Sequence, residues 1–411
     1  MTFAFPMVSA RQDLADYSGA DVARAAGSVA LFLVAASLVG EWLSRRPQRR
    51  RVAESRSLSA RQMSTFMFLG LALGFAYQLA VANGAIWELG TAMGPARAVS
   101  LTAFTAAAYF LGVGRAGGHL HGPAFGVALA ALGVVILLNI SSLFLVGGVS
   151  FAGAAFLGYV ITSRRIPWAT LALFFVLLSI LQNGKESMRR KYWDRPSGYA
   201  DVASPAQVPG RMLEWFQTGL SKPWDDPSAA SVLGRASLVQ MLLFVQRLTP
   251  EHVDYLKGES YAQLPAMLVP RFFSANKLAS QAGMDLLNRR YELVSFEGAA
   301  ESAIAWGLIA EGWANFGYAG VLGVGALVGL FCGLLMRWSI GASAVSRATL
   351  YSIAAMQGLM NASDAASGVV SLWQMFVAVF VAFWGFRLFA GRTRIATTVE
   401  RPAGVRWRPE P

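Results

Sequence analysis

From Gly122 to Thr162 the chain reads GPAFGVALAALGVVILLNISSLFLVGGVSFAGAAFLGYVIT, without one charged side chain. A bilayer crossing takes about 20 apolar residues, so this run is too long for one helix and long enough for two. The polar step Asn139-Ile140-Ser141-Ser142 is the natural place to turn. Two crossings joined by a turn this tight require lipid as the solvent on most sides.

The rest of the chain agrees. Of its 411 residues, 55% are hydrophobic and 14% charged, against about 25% charged in a soluble domain. Mean hydropathy is +0.46. This composition excludes a soluble enzyme, a disordered chain and a coiled coil, and predicts an all-α polytopic membrane protein. Apolar stretches near crossing length fall at 22–43, 64–83, 96–113, 122–140, 143–162, 166–183, 317–336, 348–363 and 369–390, so about nine transmembrane helices are expected. The start of the chain lacks the basic, apolar, small-residue order of a cleavable signal peptide, so the first stretch is expected to be a retained span.

The formal charge of +12 is unevenly written. Arg45, Arg46, Arg49, Arg50, Arg51, Arg56 and Arg61 follow the first stretch, Arg115 the third, and Arg164 and Arg165 the fifth. Arg337 and Arg347 follow the seventh, and Arg387, Arg392 and Arg394 the ninth. The alternate connections 84–95, the turn near 140 and 364–368 carry none, so the positive-inside rule predicts an outside N-terminus, a cytoplasmic C-terminus and an outside position for 184–300. A nucleic-acid binder would gather its charge on one soluble face instead, so no nucleic-acid partner is expected. The expected organisation is a six-helix membrane bundle over 1–183, a large outer loop over 184–300, a three-helix bundle over 301–390 and a cytoplasmic tail over 391–411.

The outer loop holds all five lysines, Lys185, Lys191, Lys222, Lys257 and Lys277, and nearly balanced charge overall. It carries amphipathic pieces. Met212, Leu213, Phe216 and Leu220 share one helical face, and Leu238, Met241, Leu242 and Val245 share another at i, i+3, i+4, i+7 spacing. The second piece is too short to span and suits a surface-lying or re-entrant helix.

Chemistry is sparse within the spans. The first six have no ionisable side chain near mid-membrane, which argues against an ion-coupled transporter. Gly325, Gly329 and Gly333 form consecutive small-xxx-small steps, the pattern of close helix packing. The single cysteine, Cys332, reads as a packing residue. His119 and His121 in a short connection lack a third ligand, and no metal or other cofactor is expected.

In the outer loop, Arg235, Arg247, Arg271, Lys277, Arg289 and Arg290 are interleaved with Trp215, Trp224, Phe272, Phe273 and Tyr291. Guanidinium forks suit phosphate and aromatic faces suit sugar rings, so a lipid-linked glycan fits this set. The same arginines would also serve lipid phosphates, or pair with Glu251, Asp254, Glu292 and Glu297. Glu311 stands at the outer mouth of the seventh span, where partial desolvation could bring it into the working range of a general base. Asn315 follows one helical turn on, positioned to orient a sugar hydroxyl, and His252 is an alternative base.

Gly234-Arg235-Ala236-Ser237, Leu248-Thr249-Pro250, Gly258-Glu259-Ser260-Tyr261 and Val269-Pro270-Arg271-Phe272-Phe273 through Lys277 together resemble the large outer loop of Wzy-type O-antigen and exopolysaccharide repeat-unit polymerases. Gly307 to Gly320, GLIAEGWANFGYAG, is similar to their lead into the next span, and ten residues separate Arg247 from Gly258 as in some members. The resemblance covers about 235–330 and the hydropathy profile. Relatives carry an aromatic–proline pair before the lysine and a proline after it; here Ser274-Ala275-Asn276 precede Lys277 and Leu278 follows it.

The resemblance implies a bacterial inner-membrane glycosyltransferase that joins undecaprenyl-diphosphate-linked oligosaccharide units on the periplasmic face. Its expected partners are that lipid-linked oligosaccharide, membrane lipid, a flippase and a chain-length regulator. Arg271, Arg235 and Glu311 are then the expected catalytic residues, and Arg247, Lys277, Asn315, His252, Arg289 and Arg290 the substrate-binding ones. A ligase moving a finished glycan to another acceptor, or a non-enzymatic polysaccharide transporter, would share this architecture.

Overall fold

A computed structural model describes residues 17–45, 58–193, 203–222, 238–269, 282–293, 304–339, 344, 346–360 and 363–389. Among them every regular element is helical: α1 Gly19–Ser44, α2 Ala60–Ala82, a 3-10 turn Ala85–Ala92, α3 Met93–Ala116, α4 Gly122–Ile140, α5 Leu145–Ser163 and α6 Trp168–Trp193. Then come α7 Val208–Ser221, α8 Val239–Leu248, α9 Glu259–Ala262, α10 Leu264–Leu268, α11 Ala282–Arg290, α12 Leu308–Ser339, α13 Arg347–Met360 and α14 Ala365–Phe389.

Seven of these, α1 to α6 and α12, are long and apolar enough to cross a bilayer, so the chain is an all-α, multi-pass membrane protein. The count of nine remains an expectation. The described part of the eighth stretch forms α13, 14 residues long, and the ninth lies in α14.

Local chemistry sets the ends. Ser18 with Asp21 and Ser59 with Gln62 close reciprocal capping boxes at the starts of α1 and α2. The 122–162 run turns where the polar step predicts. Ser141 and Ser142 hydroxyls donate back to the Leu138 and Asn139 carbonyls, and Leu143 adopts a left-handed φ of 66°. Those hydroxyls satisfy carbonyls that a helix end would otherwise leave bare in lipid.

The glycine steps act as packing residues. Helix α12 lies against α1 along Gly325, Gly329 and Gly333. A Cβ added at Gly325 would sit 2.7 Å from the Phe32 carbonyl, and one at Gly333 2.8 Å from that of Gly40. Helix α3 is the centre of the first bundle, its Phe104, Tyr109 and Phe110 buried with Met67 of α2 and Phe151 of α5. A second core joins α1, α8, α11 and the start of α12 around Leu242, Leu287, Trp306 and Trp313.

One expectation about 184–300 changes. Helix α6 runs ten residues past 183 to Trp193, carried by the Glu186–Arg190 pair one turn apart at 2.5 Å, so the loop boundary falls inside a helix. On α7 the apolar face and the buried face differ: Val208, Arg211, Trp215 and Gly219 are buried, while Leu213 and Leu220 are 59% and 52% exposed. Arg211 can be buried because its guanidinium stacks 4.1 Å over the Tyr192 ring. On α8 the expected face holds better. Leu242 and Val245 are buried, with Val239 and Leu243 beside them.

Candidate functional site

The site begins at a break in α12. Phe316 (φ −144°, ψ 18°) and Gly317 (φ 60°, ψ −136°) leave helical geometry, so 308–315 forms a separate half-helix before the span. Glycine tolerates the left-handed φ that this break needs. A break frees the carbonyls at the end of the first half. Two of them are taken by the incoming loop: Leu256 N–H donates to Ala314 O at 3.0 Å and Lys257 N–H to Asn315 O at 3.1 Å.

Onto this backbone pairing a side-chain network closes. Gly258, at a φ of 93°, donates its N–H to Asn315 Oδ1 at 3.0 Å. Asn315 Nδ2 donates to Ser260 Oγ at 2.9 Å and to the Glu311 carbonyl at 2.9 Å. Ser260 Oγ in turn donates to Glu311 Oε1 at 2.8 Å. Glu311 Oε2 accepts the Ala365 N–H at 2.6 Å, at the first turn of α14. Glu311, Asn315 and Ser260 are all 0% exposed.

Asp364 caps the same helix start. Its Oδ1 accepts the Ser367 N–H at 3.0 Å, and the Ser367 hydroxyl accepts the Asp364 N–H at 3.1 Å. The N-terminus of α14 thus draws two buried carboxylates, one from each side, as a helix dipole favours. Behind them, Ser363 O accepts from Trp306 N and Gly307 N at 3.0 and 2.8 Å, and Trp306 Nε1 donates to Asn288 Oδ1 at 2.8 Å. Asp364 Oδ2 lies close to Gly283 of α11: a Cβ there would meet it at 2.9 Å.

Electrostatically the cluster is acidic. Among the described residues no ion pair reaches Glu311. Burial pushes the Asp285 carboxyl above its ordinary range; the Arg289 guanidinium one turn on pulls it back, and the Asp364 charge adds to the rise. Burial likewise raises the Tyr261 phenol, with the Glu311 charge adding to it.

The expected site residues are therefore sorted. Glu311 and Asn315 come together, but neither has surface to offer a sugar: both carboxylate oxygens of Glu311 and both amide atoms of Asn315 are engaged within the protein. Arg290 pairs with Glu259 at 3.1 Å on the exposed rim of this network, beside Ser260. Arg289 is exposed on the same helix. Arg247 goes elsewhere, 5.8 Å over the Tyr17 ring at the start of α1. His252 is exposed on the turn after α8. Arg235, Arg271 and Lys277 lie outside the described residues. Among the described residues no group of three His, Cys, Asp or Glu is arranged to hold a metal ion.

Asp364, Asp285 and Asn288 were not singled out from the sequence, and Ser260 entered only within the Gly258–Tyr261 resemblance. Asp364 had a signal, as the only acidic residue between Glu311 and Glu400. The chain matches no protein family, no curated protein and no solved structure.

Proposed function

We propose that the protein is a bacterial inner-membrane glycosyltransferase that polymerises undecaprenyl-diphosphate-linked oligosaccharide units at the periplasmic face. One observation carries this reading beyond the resemblance itself. Two of the segments that resemble the polymerase family, Gly258–Tyr261 and Gly307–Gly320, are bonded to each other through Gly258–Asn315 and Ser260–Glu311. Segments that resemble a family's site and also assemble into one buried unit support a shared functional region.

The reaction breaks the bond between donor C1 and its diphosphate oxygen and forms one between C1 and an acceptor hydroxyl oxygen. Undecaprenyl diphosphate leaves, and the hydroxyl proton passes to a base. Charge on the leaving diphosphate calls for cations, for which Arg271 and Arg235 are proposed, with Arg247 and Lys277 in support. Arg289 and Arg290, exposed beside Glu259, suit substrate contact at the rim. Glu311 and Asn315 are better read as positioning residues, since both are fully enclosed. His252 has the solvent access that a base needs.

The test is the lipid-linked product. Loss of a bidentate donor at developing charge costs about 10²–10³ in rate, and lysine supplies only a point charge in its place. Arg271→Ala and Arg271→Lys should both accumulate single lipid-linked units in place of a ladder. Long lipid-linked chains that fail to reach their final acceptor would instead make the protein a ligase. Normal ladders from Arg271→Lys at matched protein level would remove Arg271 from the diphosphate site.

A further inference from the structure

Helix α7 stands apart from the carboxylate network and folds back along α6. The pairing is antiparallel. Arg211 and Glu214 meet Tyr192 and Lys191, with the Tyr192 hydroxyl donating to Glu214 Oε2 at 2.7 Å. Further down, Trp215 Nε1 donates to Leu181 O at 2.7 Å, and Gly219 rests on the Ile180 backbone.

Depth along α6 can be read from its rise. Ile180 lies about 18 Å above Trp168 and Asn183 about 22 Å, both within a core of about 30 Å. Lys191 and Tyr192 lie about 35 Å up, beyond it. The charged pairings of α7 thus sit at headgroup level, and its last turns run beside the apolar part of α6.

Two features fit that depth. Asn183 donates from Nδ2 to the carbonyls of Gly219 and Lys222 at 2.8 and 3.1 Å, satisfying the end of α7 with a side chain where water is scarce. Lys222 begins at the level of Asn183, within a lysine side chain's reach of the headgroups. The outer surface of α7 is also divided. At 100° per residue, Pro209, Leu213, Phe216 and Leu220 fall on one flank and Gly210, Glu214, Gln217 and Ser221 on the other. Leu173, Phe175, Val176 and Leu177, lower on α6, are exposed apolar residues as well.

We infer that α7 is a re-entrant helix whose C-terminal half is embedded in the bilayer leaflet, with Phe216 and Leu220 against acyl chains and Leu213 at headgroup level. The occupant of this face is lipid. The inference stands whether or not the protein is a polymerase.

Single nitroxide labels test it. In a Cys332→Ser background, Leu220→Cys, Leu213→Cys, Val176→Cys and Glu251→Cys are each labelled in vesicles of phosphatidylethanolamine and phosphatidylglycerol. Collisions with oxygen, which partitions into lipid, are compared with collisions with a water-soluble nickel chelate. Leu220 should behave like the α6 site Val176, with strong oxygen contact and loss of nickel contact, while Glu251 shows the reverse. Leu213 should fall between them. Nickel contact at Leu220 equal to that at Glu251 would put the face in water, and contact with neither reagent would put protein over it. Either result overturns the inference. Leu213 and Leu220 are exposed, so neither substitution opens a core; should one variant express poorly, the other reads the same flank.

Discussion

The backbone N–H of Gly258 donates to Oδ1 of Asn315 at 3.0 Å, across 57 residues of chain. The loop that carries Ser260 is therefore not merely near the broken helix α12; it is hydrogen-bonded to the last residue before the break. Several consequences can be measured.

Glu311 serves as a clasp between the Ser260 loop and α14. Gln offers one oxygen for the Ala365 N–H and an amide toward Ser260, so Glu311→Gln should keep the fold and part of the activity. Glu311→Ala leaves the Ser260 O–H and the Ala365 N–H without acceptors, at about 1–3 kcal/mol for each buried donor. Thermal unfolding in detergent should fall clearly for Ala and little for Gln. A Gln variant as stable as wild type yet wholly inactive would return Glu311 to the role of base.

Asn315 uses both amide atoms, so Asn315→Asp keeps the shape but loses the Nδ2 donor and adds a second buried carboxylate beside Glu311. Like charges this close cannot both stay ionised in an enclosed site. Asn315→Asp should therefore destabilise at neutral pH more than Asn315→Ala does, with the gap narrowing on acidification. Limited proteolysis within 250–262 is the direct readout, since release of the loop exposes that stretch.

Asp285 gives a pH test of known sign. Its carboxyl is raised above 3.8 in the folded protein, so folding favours its protonated form. The stability this contributes is present at low pH and is lost as pH rises from 3.8 through the raised value. Asp285→Asn should flatten that part of the stability profile. An unchanged slope would mean that Asp285 titrates alike in both states.

At Gly329 an added Cβ would strike the Ala36 carbonyl, whereas at Gly323 of the same helix nothing lies within 4 Å. Gly329→Ala should cost about 1–3 kcal/mol through overpacking. Gly323→Ala should be neutral or slightly stabilising, since alanine is the better helix former. Melting temperatures of the two variants, compared side by side, check the α1–α12 contact.

Hydropathy made the membrane helices legible, down to the turn at 140–144, because lipid imposes length and apolarity on every residue of a span. Glu311 and Asn315 were visible for a similar reason: polar groups stand out beside an apolar run. Their partners did not stand out in hydropathy. Ser260 and Gly258 entered only through the Gly258–Tyr261 resemblance; their chemistry is that of ordinary loop residues until chain topology brings them to α12, and no local period encodes that meeting. The break at Phe316–Gly317 coincides with the start of the seventh apolar stretch at 317, but hydropathy marks only where that stretch begins, not the left-handed Gly317 that sets 308–315 apart as its own half-helix. On α7 the apolar face was legible, but not that a different face would be buried, where specific polar partners outweigh hydrophobicity. Arg211 found the Tyr192 ring and the Ser141 carbonyl, and Trp215 found the Leu181 carbonyl.

The bond from Ala365 N–H to Glu311 also has a history in time. Residue 365 leaves the ribosome after residue 311, with α12 and α13 made in between. Translation at about 5–20 residues per second makes that delay a matter of seconds. Throughout it the Glu311 carboxylate must stay hydrated or borrow a partner, because the helix start that finally receives it does not yet exist. The clasp is thus among the last parts of the molecule to form during biosynthesis, and a nascent chain stopped before α14 carries the Ser260 loop and Glu311 without the contact that joins them to the final helix.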